Sequence, residues 1–439
     1  MKKFLTILAI FCLGVGGFTA DSAGPHNQII FLINGLDSAS LSLARMAIAG
    51  PYGKLNFEKL THGGYLSTYS FNSWVTDTAA AVSAIATGER ANNGELSLDS
   101  LGSVKPTLLE EAQKSGKAIG IVTDTRVTFA PAAAFYTHST NRFKENDFAL
   151  DLLKLEPDLV MGGGKFNFLS NSQGGVREDG KDLLRTAEKQ GYKVLADRLD
   201  LVKCSTLNTK VLGLFTENHL SFELDRPADE PSFSLLVEKS IKLLSAKSDK
   251  GFVLVLICDR ISQALRNHDV KAFVTQFEML DKCCAGIVDF QKALPDPLFL
   301  LMSPFSTCPP MLSEKNDLAY LPNIKASAEY MAAKIDTSGE NVGWVMSKYA
   351  GVENLSEKEK SKVFYDLKNE FLPLAIGDVV SDRLGIYFLE PTIQKTLAST
   401  YGNSAEITPY FVAGPNQDKF SIFMQNYQVG KLLISGLSE

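Results

Sequence analysis

The sequence predicts an α/β fold of three layers, with a mostly parallel central sheet, helices on both faces and an inserted cap region. Three observations carry that expectation. Short runs along the chain are apolar throughout instead of alternating with polar residues, as in strands buried on both faces. Helical stretches separate these runs, the order that builds parallel crossovers. One stretch, Phe305 to Leu374, is polar, lacks the alternation and carries Lys/Glu-rich helical sequence from Ser356 to Glu370. It reads as an insertion or cap on a single domain spanning 23–439.

Taken in order, Gln28 to Ile33 (QIIFLI) is the first strand. Pro106 to Ser115 is helical and leads into the strand Ile119 to Thr123. Asp158 to Met161 is a strand ending on Gly162-Gly163-Gly164, read as a turn because the GxGxxG fingerprint is missing. Lys181 to Gln190 is a helix closed by Gly191, followed by the strand Lys193 to Leu195. The amphipathic helix Phe233 to Ser245 precedes the strand Phe252 to Cys258. Leu298 to Met302 and Pro409 to Ala413 are the last strands. Ligands of such sheets lie at the carboxyl ends of the strands, so the chemistry is sought there.

Composition narrows the class. The chain has 439 residues, 45% hydrophobic and 21% charged, which excludes a disordered, collagen-like or disulfide-scaffold protein. A net charge of −6 argues against a nucleic-acid surface. Lys2 and Lys3, the apolar stretch Phe4 to Phe18 and the small residues Ala20 and Ser22 read as a secretory signal over 1–22, cleaved after Ser22. The mature chain is expected to be exported, periplasmic or secreted, with no membrane span. Its five cysteines, Cys204, Cys258, Cys283, Cys284 and Cys308, have no CxxC spacing. Most read as packed thiols, with one disulfide open to an oxidising compartment. There are five histidines, and none follows His268.

Val75 to Gly88 is a helix with both ends marked. Asp77 or Thr76 can cap it, and Gly88 suits the left-handed position at its end. A hydroxyl at Thr78 would lie beside unpaired N–H groups and the positive end of the helix dipole, a natural anion site. Taken alone, the segment reads first as a plain capped, tightly packed helix, since Thr and Asp cap many helices.

The segment VTDTAAAVSAIATGERANNG (Val75 to Gly94) resembles the nucleophile segment of alkaline phosphatases. There the pattern is Asp-Ser-Ala, small residues, Thr-Gly and an Asn-Gly turn. IIFLINGLDS is similar to the family's first strand, and IVTDTRVTFAPAAAFYTHSTNR to its segment of metal ligands and phosphate-binding arginine. LVMGGGKFNF, VLGLFTENHLSFELDR, IGDVVSDRLGI and YFVAGP follow in the family's order. The resemblance implies phosphoryl transfer to an enzyme hydroxyl with two zinc ions and one magnesium. It also implies a homodimer.

Carried over residue by residue, the resemblance places the nucleophile at Thr78, with Asp77 and Arg142 in the phosphate site. The metal ligands fall on Gly35, Phe129, Pro131, Ile257, Ser262, Arg266, Pro304, Phe305 and Asn403. Zinc takes imidazole, thiolate or carboxylate ligands, and none of these nine residues supplies one, so no metal cofactor is expected. Asp37 and Asp259 lie two residues beyond Gly35 and Ile257, roughly 7 Å along an extended strand. They read as solvated carboxylates at strand ends, with a displaced Mg²⁺ or Ca²⁺ pair as the alternative. His138 reads as structural, and His268 as a lone histidine on a loop or helix.

The resulting expectation is a catalytically inactive protein of this family that binds an anionic small molecule through Asp77, Arg142 and Arg266. An active phosphomonoesterase with Thr78 as nucleophile, and a structural or interaction protein, are the alternatives.

Overall fold

The computed structural model describes residues 26–60, 62–205, 209–291, 296–389 and 399–437. The expected signal segment at 1–22 lies outside the described residues. Fourteen strands are described: β1 (Asn27–Ile33), β2 (His62–Ser67), β3 (Ala118–Arg126), β4 (Leu159–Gly163), β5 (Tyr192–Leu195), β6 (Lys210–Leu214) and β7 (Phe252–Cys258), then β8 (Pro297–Met302), β9 (Ser306–Thr307), β10 (Pro310–Leu312), β11 (Ile386–Phe388), β12 (Asn403–Ser404), β13 (Thr408–Ala413) and β14 (Phe423–Gln425). Ten of them form one sheet in the order β14-β2-β13-β8-β1-β7-β3-β4-β6-β5. Only β13 runs against its neighbours, β2 and β8; the other pairings are parallel.

The continuous apolar strands are explained by two cores. Ile29, Phe31 and Ile33 of β1 face one cluster, and Ile30 and Leu32 face the other. In β7, Leu254 and Leu256 share the first cluster, and Val253 and Val255 the second. Successive side chains point to opposite faces, so both faces are covered by helices. Burying each Leu, Ile or Phe is worth about 1.5–3 kcal/mol, which makes these central strands the rigid base of the site.

One expectation needs correction. Gly162 and Gly163 belong to β4, and only Gly164, at φ 92°, leaves the strand. The stretch 305–374 is polar in composition, yet Leu321, Ile324, Met331, Val345, Met346 and Val363 join the same core as β1. Cys204, Cys258, Cys283, Cys284 and Cys308 are buried and form no disulfide among the described residues. No helix among them is long and apolar enough to cross a membrane.

Candidate functional site

The helix Thr78–Thr87 opens at the carboxyl side of the sheet. Asp77 caps it by accepting the Ala80 N–H at 2.8 Å, and Gly88 closes it at φ 72°. Every residue of this helix is buried. Small side chains let the helix Asn426–Ser435 approach closely. A Cβ at Gly430 would stand 2.4 Å from the Ile85 carbonyl oxygen, so only glycine fits.

Asp77 is fully buried and does more than cap. Its second oxygen accepts the Gly94 N–H at 2.7 Å and the Arg142 Nη1–H at 3.2 Å. The Asp77 N–H donates to Asn93 at 2.9 Å, and the Asn93 amide donates to the Val75 carbonyl at 2.9 Å. The Asn93-Gly94 turn therefore clasps the helix start. The Ala80 and Ala81 amides are both used by Asp77. Those of Thr78 and Ala79 have no partner among the described residues and lie at the positive end of the dipole.

A second arginine reaches the same segment from the other side. Arg266 ends the helix Arg260–Arg266. Its Nη2–H donates to Asn403 at 2.9 Å, and the Asn403 amide donates to the Thr76 carbonyl at 2.7 Å. Its guanidinium lies 5.8 Å from the Phe305 ring centre. Burial lowers the Arg266 pKa, the nearby Asp259 opposes that, and Arg142 adds to it. Arg142 and Arg266 thus lie within electrostatic reach of each other. In both, Nε is buried with no partner among the described residues.

The positions where the resemblance places metal ligands are filled by packing. Gly35 has φ 88°, and a Cβ there would meet the Thr307 methyl at 2.7 Å and Ser262 Cβ at 2.9 Å. Ser262 donates to the Asp259 carbonyl at 2.9 Å and to its carboxylate at 3.0 Å. The Phe129 ring lies 4.9 Å from the Arg126 guanidinium and 6.0 Å from that of Arg142. Pro131 sits in the buried turn Ala130–Ala133, and Ile257 in the core of β7. Pro304 is buried beside Phe305, whose carbonyl accepts the Gly35 N–H at 3.1 Å. Two zinc ions and one magnesium do not fit this set, because the ligand space is occupied by carbon atoms and by a guanidinium. No group of three or more His, Cys, Asp or Glu that could hold a metal stands together among the described residues.

Asp37 and Asp259 are not solvated, as the sequence suggested; both are buried. The extended geometry behind the displaced pair also fails. The chain turns at Gly35, and Asp37 caps the helix Ser38–Ala49 through Ser40, while its other oxygen accepts the Ser306 hydroxyl at 2.5 Å. Asp259 already has helical backbone angles and accepts the Asn34 amide at 2.6 Å. His138 contacts the Ser97 carbonyl at 2.9 Å and Glu110 at 3.2 Å. His268 is not alone: it pairs with Asp378 and stacks on Phe388 at 4.5 Å.

Sequence reasoning missed Asp124, a fully buried carboxyl in β3. It accepts the backbone N–H groups of Asp259 at 2.8 Å and Arg260 at 3.2 Å, and so anchors the helix that presents Arg266. A lone acid inside an apolar run, IGIVTDTR, was the available signal. Burial pushes its pKa up to about 6, and does the same to Asp269. A raised carboxyl pKa means that the folded state holds protons which the unfolded state has already lost. The stability from each group is complete below the unfolded value and disappears as pH rises through about 6. The effect is on the order of 3 kcal/mol per carboxyl. Buried His219, whose pKa is held well below its usual value by burial and Arg126, acts in the opposite sense. Asp225, Glu230, Asp281 and His138, whose pKa values are also raised, act in the same sense as Asp124 and Asp269, so the melting temperature is expected to be higher at pH 5 than at pH 7. A scanning-calorimetry series checks this, and a steady fall from pH 7 to pH 5 would contradict it.

Comparison with known proteins gives a consistent answer. The family model described as alkaline phosphatase matches residues 25–337. Alkaline phosphatase 3 of Bacillus subtilis is 27% identical over 383 residues, covering 83% of this chain and 77% of that protein. The alkaline phosphatase of Schizosaccharomyces pombe is 33% identical over 269 residues, covering 57% of this chain and 50% of that protein. Among solved structures, Thermus thermophilus alkaline phosphatase matches with a TM-score of 0.83 at 24% identity, covering 94% of this chain and 91% of that one. The cold-active enzyme of Shewanella sp. matches at 0.80 and 24% identity, covering 94% of this chain and all of the other. These structural matches carry the fold.

Proposed function

Because the chain belongs to the alkaline phosphatase family, we propose that it is an exported member that binds a phosphate- or carboxylate-bearing small molecule without metal-dependent turnover. The observation that carries this reading is the approach of two guanidiniums to the start of one helix: Arg142 bonds Asp77 directly, and Arg266 reaches the Thr76 carbonyl through Asn403. Guanidinium groups grip oxyanions with directed hydrogen bonds. The amides of Thr78 and Ala79 add two further donors.

Turnover needs more. A threonine hydroxyl is a weak nucleophile unless a base or a metal activates it. The positions that would hold that metal carry Gly35, Phe129, Pro131, Ile257, Ser262, Arg266, Pro304, Phe305 and Asn403. Thr78 is therefore read as a lining residue. Arg266 supplies fixed positive charge at a position where the family pattern asks for a zinc ligand. The leader-like segment 1–22 supports export, and 305–374 is taken as a cap over the domain. A homodimer is the assembly to test first.

Calorimetric titration with inorganic phosphate tests the reading. Arg266→Ala is expected to weaken binding about 10- to 100-fold, the worth of hydrogen bonds to a charged group. An unchanged affinity would remove Arg266 from the site. Zinc bound in stoichiometric amount, with p-nitrophenyl phosphate hydrolysis abolished by Thr78→Ala, would replace the reading with an active phosphomonoesterase.

A further inference from the structure

The backbone that carries Arg142 belongs to a short antiparallel ladder. Leu96 and Ser139 exchange both of their backbone bonds, at 2.7 and 3.0 Å, and the Arg142 N–H donates to the Gly94 carbonyl at 3.0 Å. The Gly94 N–H donates to Asp77 at 2.7 Å, so one end of the ladder is the helix start. His138 stands at the other end. Its Nδ1 lies 2.9 Å from the Ser97 carbonyl oxygen, and its Nε2 lies 3.2 Å from Glu110 of the helix Leu108–Lys114. Ser97 has a left-handed φ of 50°, which a non-glycine residue keeps only when its surroundings hold it. Its N–H donates to Ser83 of the helix Thr78–Thr87 at 2.9 Å.

Both partners of the ring are acceptors. A backbone carbonyl and an ionised carboxylate have no hydrogen to give. Each ring nitrogen must therefore carry one, and only the imidazolium carries two. A neutral ring keeps one bond and turns a lone pair on the other acceptor. Lys114, Asp151 and Lys154 line the same cleft, of about 590 Å³. Lys114 pairs with Glu111 and Lys154 with Asp151, both at 2.7 Å, and on the adjoining loop Lys105 pairs with Asp99 at 3.0 Å. Burial works against charge on His138, but the Glu110 and Ser97 bonds, with the fields of Glu110 and Asp151, outweigh it and hold its pKa above the ordinary value. The side chain is 19% exposed, so its proton exchanges with solvent.

We propose that His138, as the imidazolium, is a positioning residue for Arg142: it locks the ladder to the helix Leu108–Lys114, and the anion is held less tightly once the ring is neutral. The inference rests on the anion site proposed above. Loss of the proton releases Ser97 or Glu110, and the slack passes through Leu96–Ser139 and Gly94–Arg142 to the Asp77 ion pair. By linkage, a bound anion strengthens proton binding at His138 by the same factor.

The test titrates the full chain with inorganic phosphate by calorimetry at pH 6 and pH 9. Glu110→Gln is the reference at each pH, which cancels the ionisation of phosphate itself. Its amide can donate to a neutral Nε2 while its oxygen takes the Thr107 N–H, which Glu110 accepts at 2.7 Å, so both ring bonds survive loss of the proton. The parent is expected to match this variant at pH 6 and to bind about tenfold more weakly than it at pH 9. The His138 pKa of the parent, followed by NMR, should rise when phosphate saturates the site, a readout that needs no variant to fold. A His138 pKa unmoved by saturating phosphate, or a parent that tracks Glu110→Gln at both pH values, would overturn the positioning role and leave the anion site standing. Absence of phosphate binding at both pH values in both proteins would overturn both.

Discussion

Gly35→Asp, which returns a carboxylate to the family's first metal-ligand position, is expected to cost about 4 kcal/mol or more of stability and to create no metal site. Three costs add. A non-glycine residue at φ 88° is strained by about 1–2 kcal/mol. Its Cβ would overlap the Thr307 methyl and Ser262 Cβ, and overpacking of this kind costs about 1–3 kcal/mol. The carboxylate would then be buried with no cation to meet it, which costs several kcal/mol more or drives it to protonate. Urea denaturation checks the total. Gly35→Ala isolates the first two costs, and Gly35→Ala combined with Thr307→Ser, which removes the clashing methyl, should recover part of the loss. A Gly35→Asp protein within about 1 kcal/mol of the parent that binds zinc would show that the pocket still accepts a ligand there.

Asp77→Ala is expected to destabilise the protein by about 3–5 kcal/mol, because it breaks a buried ion pair and leaves Arg142 uncompensated. The same change orphans the Ala80 and Gly94 amides, which Asp77 accepts at 2.8 and 2.7 Å. Loss of a helix cap alone would cost about 1 kcal/mol, so the magnitude separates the two roles. A loss near 1 kcal/mol would mean that the Asp77–Arg142 pair adds little. Arg142→Ala in the same background should then cost less than it does alone, since the partners act as one unit.

The fold was legible where the physics is local. β1, β7 and β8 are continuous apolar runs because both faces are covered, and the sequence carries that directly. The strand β2 (His62–Ser67) and the edge strand β14 (Phe423–Gln425) were not foreseen. The first holds two glycines and the second is three residues long, so neither shows a period. The capped helix Thr78–Thr87 was readable because both of its ends are written into neighbouring residues. The Arg266–Asn403–Thr76 chain was not, since its two hydrogen bonds join residues 137 and 327 positions apart. Asp37 and Asp259 were misread because an extended strand was assumed beyond Gly35, where the backbone in fact turns. The residues that the resemblance sets at metal positions could be named without the structure. What fills the space, above all the Thr307 methyl and the Arg266 guanidinium, could not.

The central claim is that two arginines and a helix start bind an anion where the family would use metal. Phosphate titration by calorimetry, run once with excess chelator and once with added zinc and magnesium, tests it most directly. The account predicts saturable binding of equal affinity in both, weakened by Arg142→Ala and by Arg266→Ala. Binding that vanishes with chelator and returns with zinc would contradict it.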